Sequence, residues 1–168
     1  MKTHVLRSLI MGVVTALVLA SPSAFAAEPL GNSAALQGVK DAKTVFLIKF
    51  DSPSRTDSYM KAIQGTHKGL LEQDVQSEIV VVFIGKAVQF LTTKPESSLV
   101  EEHGDALQSI AVTAKELKSL GVRMEVCGTA TEHFGVDNQS VLEEMTVVGN
   151  GFISLIGWQS QGYVPMTF

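Results

Sequence analysis

Residues 117–136 read LKSLGVRMEVCGTATEHFGV, and this stretch decides the fold class. A helical pattern stops at Gly121, because glycine is the usual residue just beyond a helix end. VRMEVC at 122–127 is typical of a short buried strand, and a short helix is predicted to follow over 129–134 and to end at Gly135. A helix, a strand and a helix in this order indicate one unit of a parallel α/β sheet.

The same alternation extends toward the N-terminus. KTVFLIKF at 43–50 and EIVVVFI at 78–84 are predicted to be strands, and the unbroken apolar character of the second suits a strand covered on both faces. Apolar residues at helical spacing predict one helix between these strands and another from about 98 to 120. Residues 85–95 fit either a short helix or an extended connection.

The C-terminal part is predicted to hold four short elements: helices over 137–144 and 151–161, and strands over 146–148 and 163–167. In the helix over 151–161, we expect Phe152, Ile153 and Ile156 to face the core. Two patterns, Ser98-x-x-Glu101 and Thr129-x-x-Glu132, resemble capping boxes that would satisfy free N–H groups at helix starts.

The first 26 residues have the pattern of an export signal. Lys2 and Arg7 precede an uncharged apolar run over 9–20, and Ala24-Phe25-Ala26 is the small-x-small pattern that signal peptidases cleave. A helix of that run would be about 18 Å long, too short for a hydrocarbon core of about 30 Å. The sequence therefore predicts cleavage near Ala26/Ala27, a periplasmic location and no stable membrane anchor.

The predicted mature chain is acidic. The whole sequence has 13 basic and 17 acidic residues, and removing 1–26 removes two basic residues and no acidic one, so the net charge falls from −4 to −6. Without a basic stripe to displace phosphate counterions, nucleic-acid binding is excluded. We expect a flexible lead-in over 27–42 and a single domain over 43–168.

The one cysteine, Cys127, lies at the carboxyl end of a predicted strand, where parallel sheets place their ligands. An odd thiol in an exported protein is buried, paired between chains or chemically employed, and a strand end is a poor place for an intermolecular disulfide. Gly128 lets the backbone approach closely, and a helix start behind the sulfur would stabilise a thiolate. Strand alternation also allows the sulfur to lie under a helix as ordinary packing, so both interpretations stay open.

Three segments in order resemble the DsrE/DsrF-like sulfur-relay family: 117–136, VVFIGKAVQFL at 81–91, and VVGNGFISLIGWQSQGYVPMTF at 147–168. The resemblance covers the chain from about Lys43 to its end. It implies a three-layer α/β/α fold with a five-stranded, mostly parallel sheet, assembled into trimers or hexamers. It also implies that Cys127 takes sulfane sulfur as a persulfide from a donor protein and passes it to an acceptor.

Four further residues are candidates for this site. His133 lies six residues after Cys127 and could polarise a bound sulfur species, although the sequence favours a helix-end histidine that interacts with the helix dipole. Gly128, Thr129 and Asn150 are predicted to line the ligand crevice, and a turn with an N-cap explains Asn150 equally well.

Other chemistries have little support in the sequence. His67 and His103 have no partners at metal-ligand spacing, so no metal site is predicted. The hydroxyl-rich loop at 51–58 could hold an anion, but GxGxxG, GxxxxGK[ST] and G-x-S-x-G are all missing, so no cofactor and no serine hydrolase is predicted. The alternative to a sulfur carrier is a module that binds a small anion or a protein, or an assembly subunit, with Cys127 structural.

Overall fold

The computed structural model describes residues 31–168. The predicted signal, residues 1–26, and residues 27–30 of the predicted lead-in lie outside the described residues. Asn32–Phe168 form one compact unit. Within the described part of the chain, no helix is long and apolar enough to cross a membrane.

Strands and helices alternate along this unit. Their order is β1 (Asp41–Ile48), α1 (Pro53–Leu71), β2 (Gln76–Phe83), α2 (Ser97–Ser119), β3 (Arg123–Cys127), α3 (Gly128–His133), β4 (Thr146–Val148), α4 (Gly151–Ser160) and β5 (Val164–Thr167). Single 3-10 segments cover Gly85–Phe90 and Asn138–Ser140. The first of these resolves the region that the sequence left open between a short helix and an extended connection.

The five strands form one parallel sheet in the order β4-β3-β2-β1-β5. The steps from β1 to β2 and from β2 to β3 run in the same direction, so right-handed crossovers place α1 and α2 on one face. The step from β4 to β5 runs back across the sheet, which places α4 on the opposite face. The α/β fold with a five-stranded parallel sheet, expected from the sequence, is confirmed.

The register decides which strand residues lie under α4. Val82 pairs with Glu125, and residues two apart in a strand share a face, so Glu125 and Cys127 lie on the same side of the sheet. A β-carbon placed on Gly151 would lie 3.1 Å from the β-carbon of Cys127 and 3.2 Å from Cγ1 of Val82, so this is the face that α4 covers. Met124 and Val126 point to the face of α1 and α2 and are buried.

Most predicted elements are present, with shifted ends. β1 begins at Asp41, two residues before the predicted start. The helix predicted near 98 begins at Ser97 with Glu96 as its N-cap and no side-chain cap, so the capping box at Ser98 is wrong. This helix, α2, is kinked at His103, where φ is −138° and ψ is 20°. Its predicted stop at Gly121 is confirmed, with φ at +83°.

The helix predicted over 137–144 is wrong, because only the 3-10 turn Asn138–Ser140 forms there. Val141 makes an antiparallel bridge with Thr92, and the N–H of Leu142 donates to the carbonyl of Leu91 at 2.9 Å. Pairing with a segment about fifty residues away therefore draws this stretch out of a helix.

The orientation predicted for α4 is also wrong. Phe152, Ile153 and Ile156 are 59%, 68% and 65% exposed, whereas Leu155 is buried and faces the core. Nearly all of this helix is apolar, so periodicity could not choose between its two sides.

Candidate functional site at the end of strand β3

Cys127 is the last residue of β3 and the N-cap residue of α3, and it is only 4% exposed. It lies on the sheet face covered by α4. Because β3 passes into α3 without an intervening loop, the sulfur sits at the carboxyl edge of the sheet, where helix starts converge.

A backbone donor from α4 contacts the sulfur. The N–H of Gly151, the first residue of α4, donates to Cys127 Sγ at 3.2 Å. Asn150 is the N-cap of this helix, and its Oδ1 accepts from the N–H of Phe152 at 2.9 Å. The positive end of a ten-residue helix therefore points at the thiol, an arrangement that favours a negative charge on sulfur.

This donor differs from the one that the sequence suggested. The capping box Thr129-x-x-Glu132 is wrong, because α3 begins at Gly128 and Thr129 already lies inside the helix. Its N–H and its hydroxyl both donate to the carbonyl of Gly149, at 3.2 Å and 2.9 Å. Thr129 thus ties the start of α3 to the turn that precedes α4, and α4 supplies the N–H group at the sulfur.

Gly128 allows the close backbone approach that its position suggested. A β-carbon at this residue would lie 2.9 Å from the carbonyl oxygen of Val148, closer than real β-carbon contacts. β4 can therefore pair with the end of β3, where Cys127 is in register with Val148. The glycine, the threonine and the asparagine predicted for the crevice all surround the β4–α4 turn.

His133 ends α3 on the exposed surface. Its ring meets that of Phe134 edge to face, with centroids 4.8 Å apart. The position at the last turn of α3 suits the favourable interaction of a histidine with a helix C-terminus.

A groove of about 610 Å³ opens beside the start of α3. Its lining includes Gly128, Thr129, Val148 and Gly149, with Glu132 and Asp137 among its acidic residues. Cys127 does not line this groove, because its sulfur is turned under α4. The groove and the sulfur are therefore separated by the backbone at Gly128 and Gly149.

Sequence reasoning missed Glu125. This carboxylate is 4% exposed and lies on the same sheet face as Cys127. Its Oε2 accepts hydrogen bonds from the hydroxyl of Ser154 and from Nε1 of Trp158, the latter at 3.1 Å, and both donors belong to α4. The signal was an acidic residue between Met124 and Val126 in a strand predicted to be buried, because a buried charge needs partners.

The other candidate residues are not brought together. Among residues 31–168, no group of three or more His, Cys, Asp or Glu side chains is placed to hold a metal ion. His67 is buried on α1, and His103 lies at the kink of α2. In the loop before α1, Ser52 acts as the N-cap, and its hydroxyl accepts from the N–H of Arg55 at 3.4 Å.

Comparison with known structures supports the fold. A protein of unknown function from Methanobacterium thermoautotrophicum is 23% identical with a TM-score of 0.59, over 76% of this chain and 100% of that one. The ychN protein of E. coli is 17% identical with a TM-score of 0.54, over 76% and 99%. A conserved protein of unknown function from Bacteroides thetaiotaomicron is 16% identical with a TM-score of 0.51, over 77% and 95%.

No curated protein matches the chain significantly. The model of the DsrE/DsrF-like family, in contrast, matches residues 42–168, which include the whole sheet except the first residue of β1. A match of this length includes β3, Cys127 and α4 together. The chain therefore belongs to the DsrE/DsrF-like family.

Proposed function

We propose that this protein carries sulfane sulfur as a persulfide on Cys127. The observation that carries the proposal is the N–H of Gly151 at 3.2 Å from Sγ, at the start of α4. Family membership, which is associated with sulfur relay, supports it. The thiolate is the nucleophilic form of cysteine, and a helix N-terminus stabilises that form.

The proposed step conserves electrons. The thiolate of Cys127 attacks the outer sulfur of a donor persulfide, a new S–S bond forms at Sγ, and the donor's own S–S bond breaks. The donor leaves as a thiolate. An acceptor thiolate then attacks the outer sulfur on Cys127 and releases the Cys127 thiolate, so no external oxidant or reductant is needed.

Mass spectrometry of the intact protein tests this proposal. The purified protein is incubated with a low-molecular-weight persulfide, and we expect a gain of one sulfur atom that a reductant reverses. Cys127→Ser is the matched control, because the chain has a single cysteine. The proposal fails if the protein gains no sulfur under conditions in which a small free thiol does.

The 4% exposure of Cys127 favours a second candidate function, in which the thiol is packed and the protein binds a small anion or a protein partner. Thiol labelling of the folded protein separates the two. Labelling that is slow until denaturant is added favours the second function, whereas fast labelling near neutral pH favours the carrier.

We also propose that the protein acts in the periplasm after cleavage near Ala26/Ala27. The basic, apolar and small-x-small regions of residues 1–26 support this location. N-terminal sequencing of the protein from a periplasmic extract tests it. A chain that keeps Met1 and fractionates with the cytoplasm would contradict it.

Assembly into a homo-oligomer, a trimer or a hexamer, is the third part of the proposal. Phe152, Ile153 and Ile156 form an exposed apolar face on α4. Exposed apolar surface of this kind marks interaction sites. Sedimentation of the purified protein measures the mass of the assembly.

A further inference from the structure

Glu125 is a buried carboxylate for which the proposed sulfur chemistry has no direct use. It lies two residues before Cys127, on the same face of β3. Burial of a carboxylate is costly unless hydrogen bonds and charges compensate it. β3 nevertheless keeps this carboxylate buried, on the face from which it reaches α4.

The partners of Glu125 fix the rotation of α4. Its Oε2 accepts from Ser154 and Trp158, which are four residues apart and so lie on one side of the helix. Nη1 of Arg123 lies 3.8 Å from Oε1, and the Arg123 guanidinium is 5.3 Å from the centre of the Trp158 ring. Gly151 lies three residues before Ser154, so the same rotation turns Gly151 toward the sheet.

Apolar packing alone would not select this orientation. The residues of α4 that face outward, Phe152, Ile153 and Ile156, are as hydrophobic as the inward Leu155. Because the hydrophobic effect is not directional, either side of the helix could be buried at similar gain. Hydrogen bonds from α4 to a buried carboxylate distinguish the two sides, since the other rotation would leave Glu125 without its donors.

We propose that Glu125 is a positioning residue for Cys127, which holds α4 in the rotation that directs the Gly151 N–H at the sulfur. The inference deepens the proposed function and rests on it, because it concerns the reactivity of the same thiol. Glu125 itself hydrogen-bonds neither to the sulfur nor to the Gly151 N–H. It acts through Ser154, Trp158 and the backbone of α4.

The charged and titratable groups around the thiol are few. α4 carries none. On the sheet face beneath it, the central strands carry Asp41, Lys43, Glu78, Arg123 and Glu125, with Tyr163 just beyond the helix. α3, which follows Cys127, carries Glu132 and His133, both exposed. Removal of the Glu125 charge alone would favour the thiolate, so it would lower the pH at which the thiol ionises.

The test compares Glu125→Met with Glu125→Gln. Methionine removes both acceptors, whereas the glutamine amide oxygen can still accept from Ser154 and Trp158. The readout is thiolate absorbance against pH, with Cys127→Ser as the blank. We expect the ionisation midpoint to rise by about one pH unit in the methionine variant, and to stay at or below the wild-type value in the glutamine variant. Hydrogen exchange of the Gly151 amide should accelerate about tenfold in the methionine variant only.

Two results would overturn the inference: a midpoint and a Gly151 exchange rate in the methionine variant equal to those of the wild type, or a fall in the midpoint in both variants. Glu78→Gln is the control, because this carboxylate shares the sheet face but bonds to Tyr163 and Lys43 rather than to α4. If Glu125→Met does not fold, the double variant Ser154→Ala/Trp158→Phe removes the donors instead. A wild-type protein that takes up no sulfur would refute the proposed function, while the midpoints and exchange rates still decide the role of Glu125.

Discussion

Gly151 sets the distance between α4 and the sheet at the sulfur. A β-carbon at this position would lie 2.7 Å from Cγ2 of Ile84, so the helix start would have to move away from Cys127. We expect Gly151→Ala to lower the free energy of unfolding by about 1–3 kcal/mol through overpacking, measured by chemical denaturation.

Gly157 provides the matched control within the same helix, since a β-carbon there would meet nothing within 4 Å. Gly157→Ala should raise stability by about 0.5–1 kcal/mol, because alanine loses less conformational freedom in a helix than glycine does. Equal changes in the two variants would mean that the contact at Ile84 does not restrain α4.

A second residue-scale feature links β2 to the segment after α4 through Glu78. The Tyr163 hydroxyl donates to Glu78 Oε2 at 2.8 Å, and Lys43 Nζ lies 3.2 Å from Oε1, so the pKa of Glu78 is lowered, first by the tyrosine and then by the lysine. The pKa of Tyr163 is raised, first by its burial and then by its bond to Glu78.

These two shifts act at opposite ends of the pH scale. A carboxyl group with a lowered pKa adds stability above its unfolded pKa of about 4.3, and this is lost as pH falls through its folded pKa. A tyrosine with a raised pKa adds stability below its unfolded pKa of about 10, and this is lost as pH rises through its folded pKa.

Thermal denaturation over a pH series measures the acidic effect. We expect the Tm of Glu78→Gln to lie below that of the wild type near neutral pH and to converge with it in acid, where the wild-type carboxyl is protonated in both states. A Tm difference that is the same at all pH values would contradict the shift. Because Lys43 and Glu78 are largely exposed, the effect should shrink at high salt.

At the scale of elements, the first turn of α4 depends on its cap. Asn150 Oδ1 accepts from the N–H of Phe152 at 2.9 Å. It so holds the turn that contains Gly151, whose N–H donates a hydrogen bond to Cys127 Sγ. We expect Asn150→Ala to cost about 1 kcal/mol of stability and Asn150→Asp to cost little, since aspartate caps as well as asparagine does.

Ser52→Ala is the control for this prediction, because Ser52 caps α1, which lies on the face of the sheet opposite α4. The two alanine variants should lose similar stability, measured by chemical denaturation, but only Asn150→Ala should change the rate at which an alkylating agent labels Cys127. A changed labelling rate in both variants would assign the effect to general destabilisation.

Elements were predictable from the sequence where local pattern and burial agree. α2 has apolar residues on one side and a glycine stop, and β3 alternates between two glycines, so both could be placed from periodicity. The stretch 137–144 could not, because its bridge to Thr92 is a long-range contact with no local pattern. The inward side of α4 could not be read either, since it depends on Glu125, a partner on another element.

At the scale of the whole molecule, chain order did not predict strand order. Unbroken apolar strands separated by helices predict a parallel sheet, and all five strands are parallel. The return from β4 at one edge to β5 at the other is set by packing of α4 across β3, β2 and β1. This return covers Cys127, so the burial of the predicted site residue is a consequence of topology and not of the residues around it in sequence.

The same topology turns the apolar outer side of α4 toward solvent in the single chain. Phe152, Ile153 and Ile156 are 59%, 68% and 65% exposed there. In a homo-oligomer, a symmetric contact through this surface would bury these side chains. A charged side chain introduced there would lie near the same charge on the neighbouring subunit or lose its hydration. We therefore expect Ile153→Asp to dissociate the assembly while the monomer keeps its fold, measured by sedimentation velocity and circular dichroism.

Val112→Asp is the matched control, because Val112 is 51% exposed on α2, on the opposite face of the sheet. Its sedimentation should equal that of the wild type, since the same charge is added far from the apolar face of α4. A wild-type protein that sediments as a monomer at every concentration would refute assembly. If Ile153→Asp instead keeps the wild-type mass, the contact between subunits does not include this face of α4. The aspartate would then remain in water, at little cost in stability.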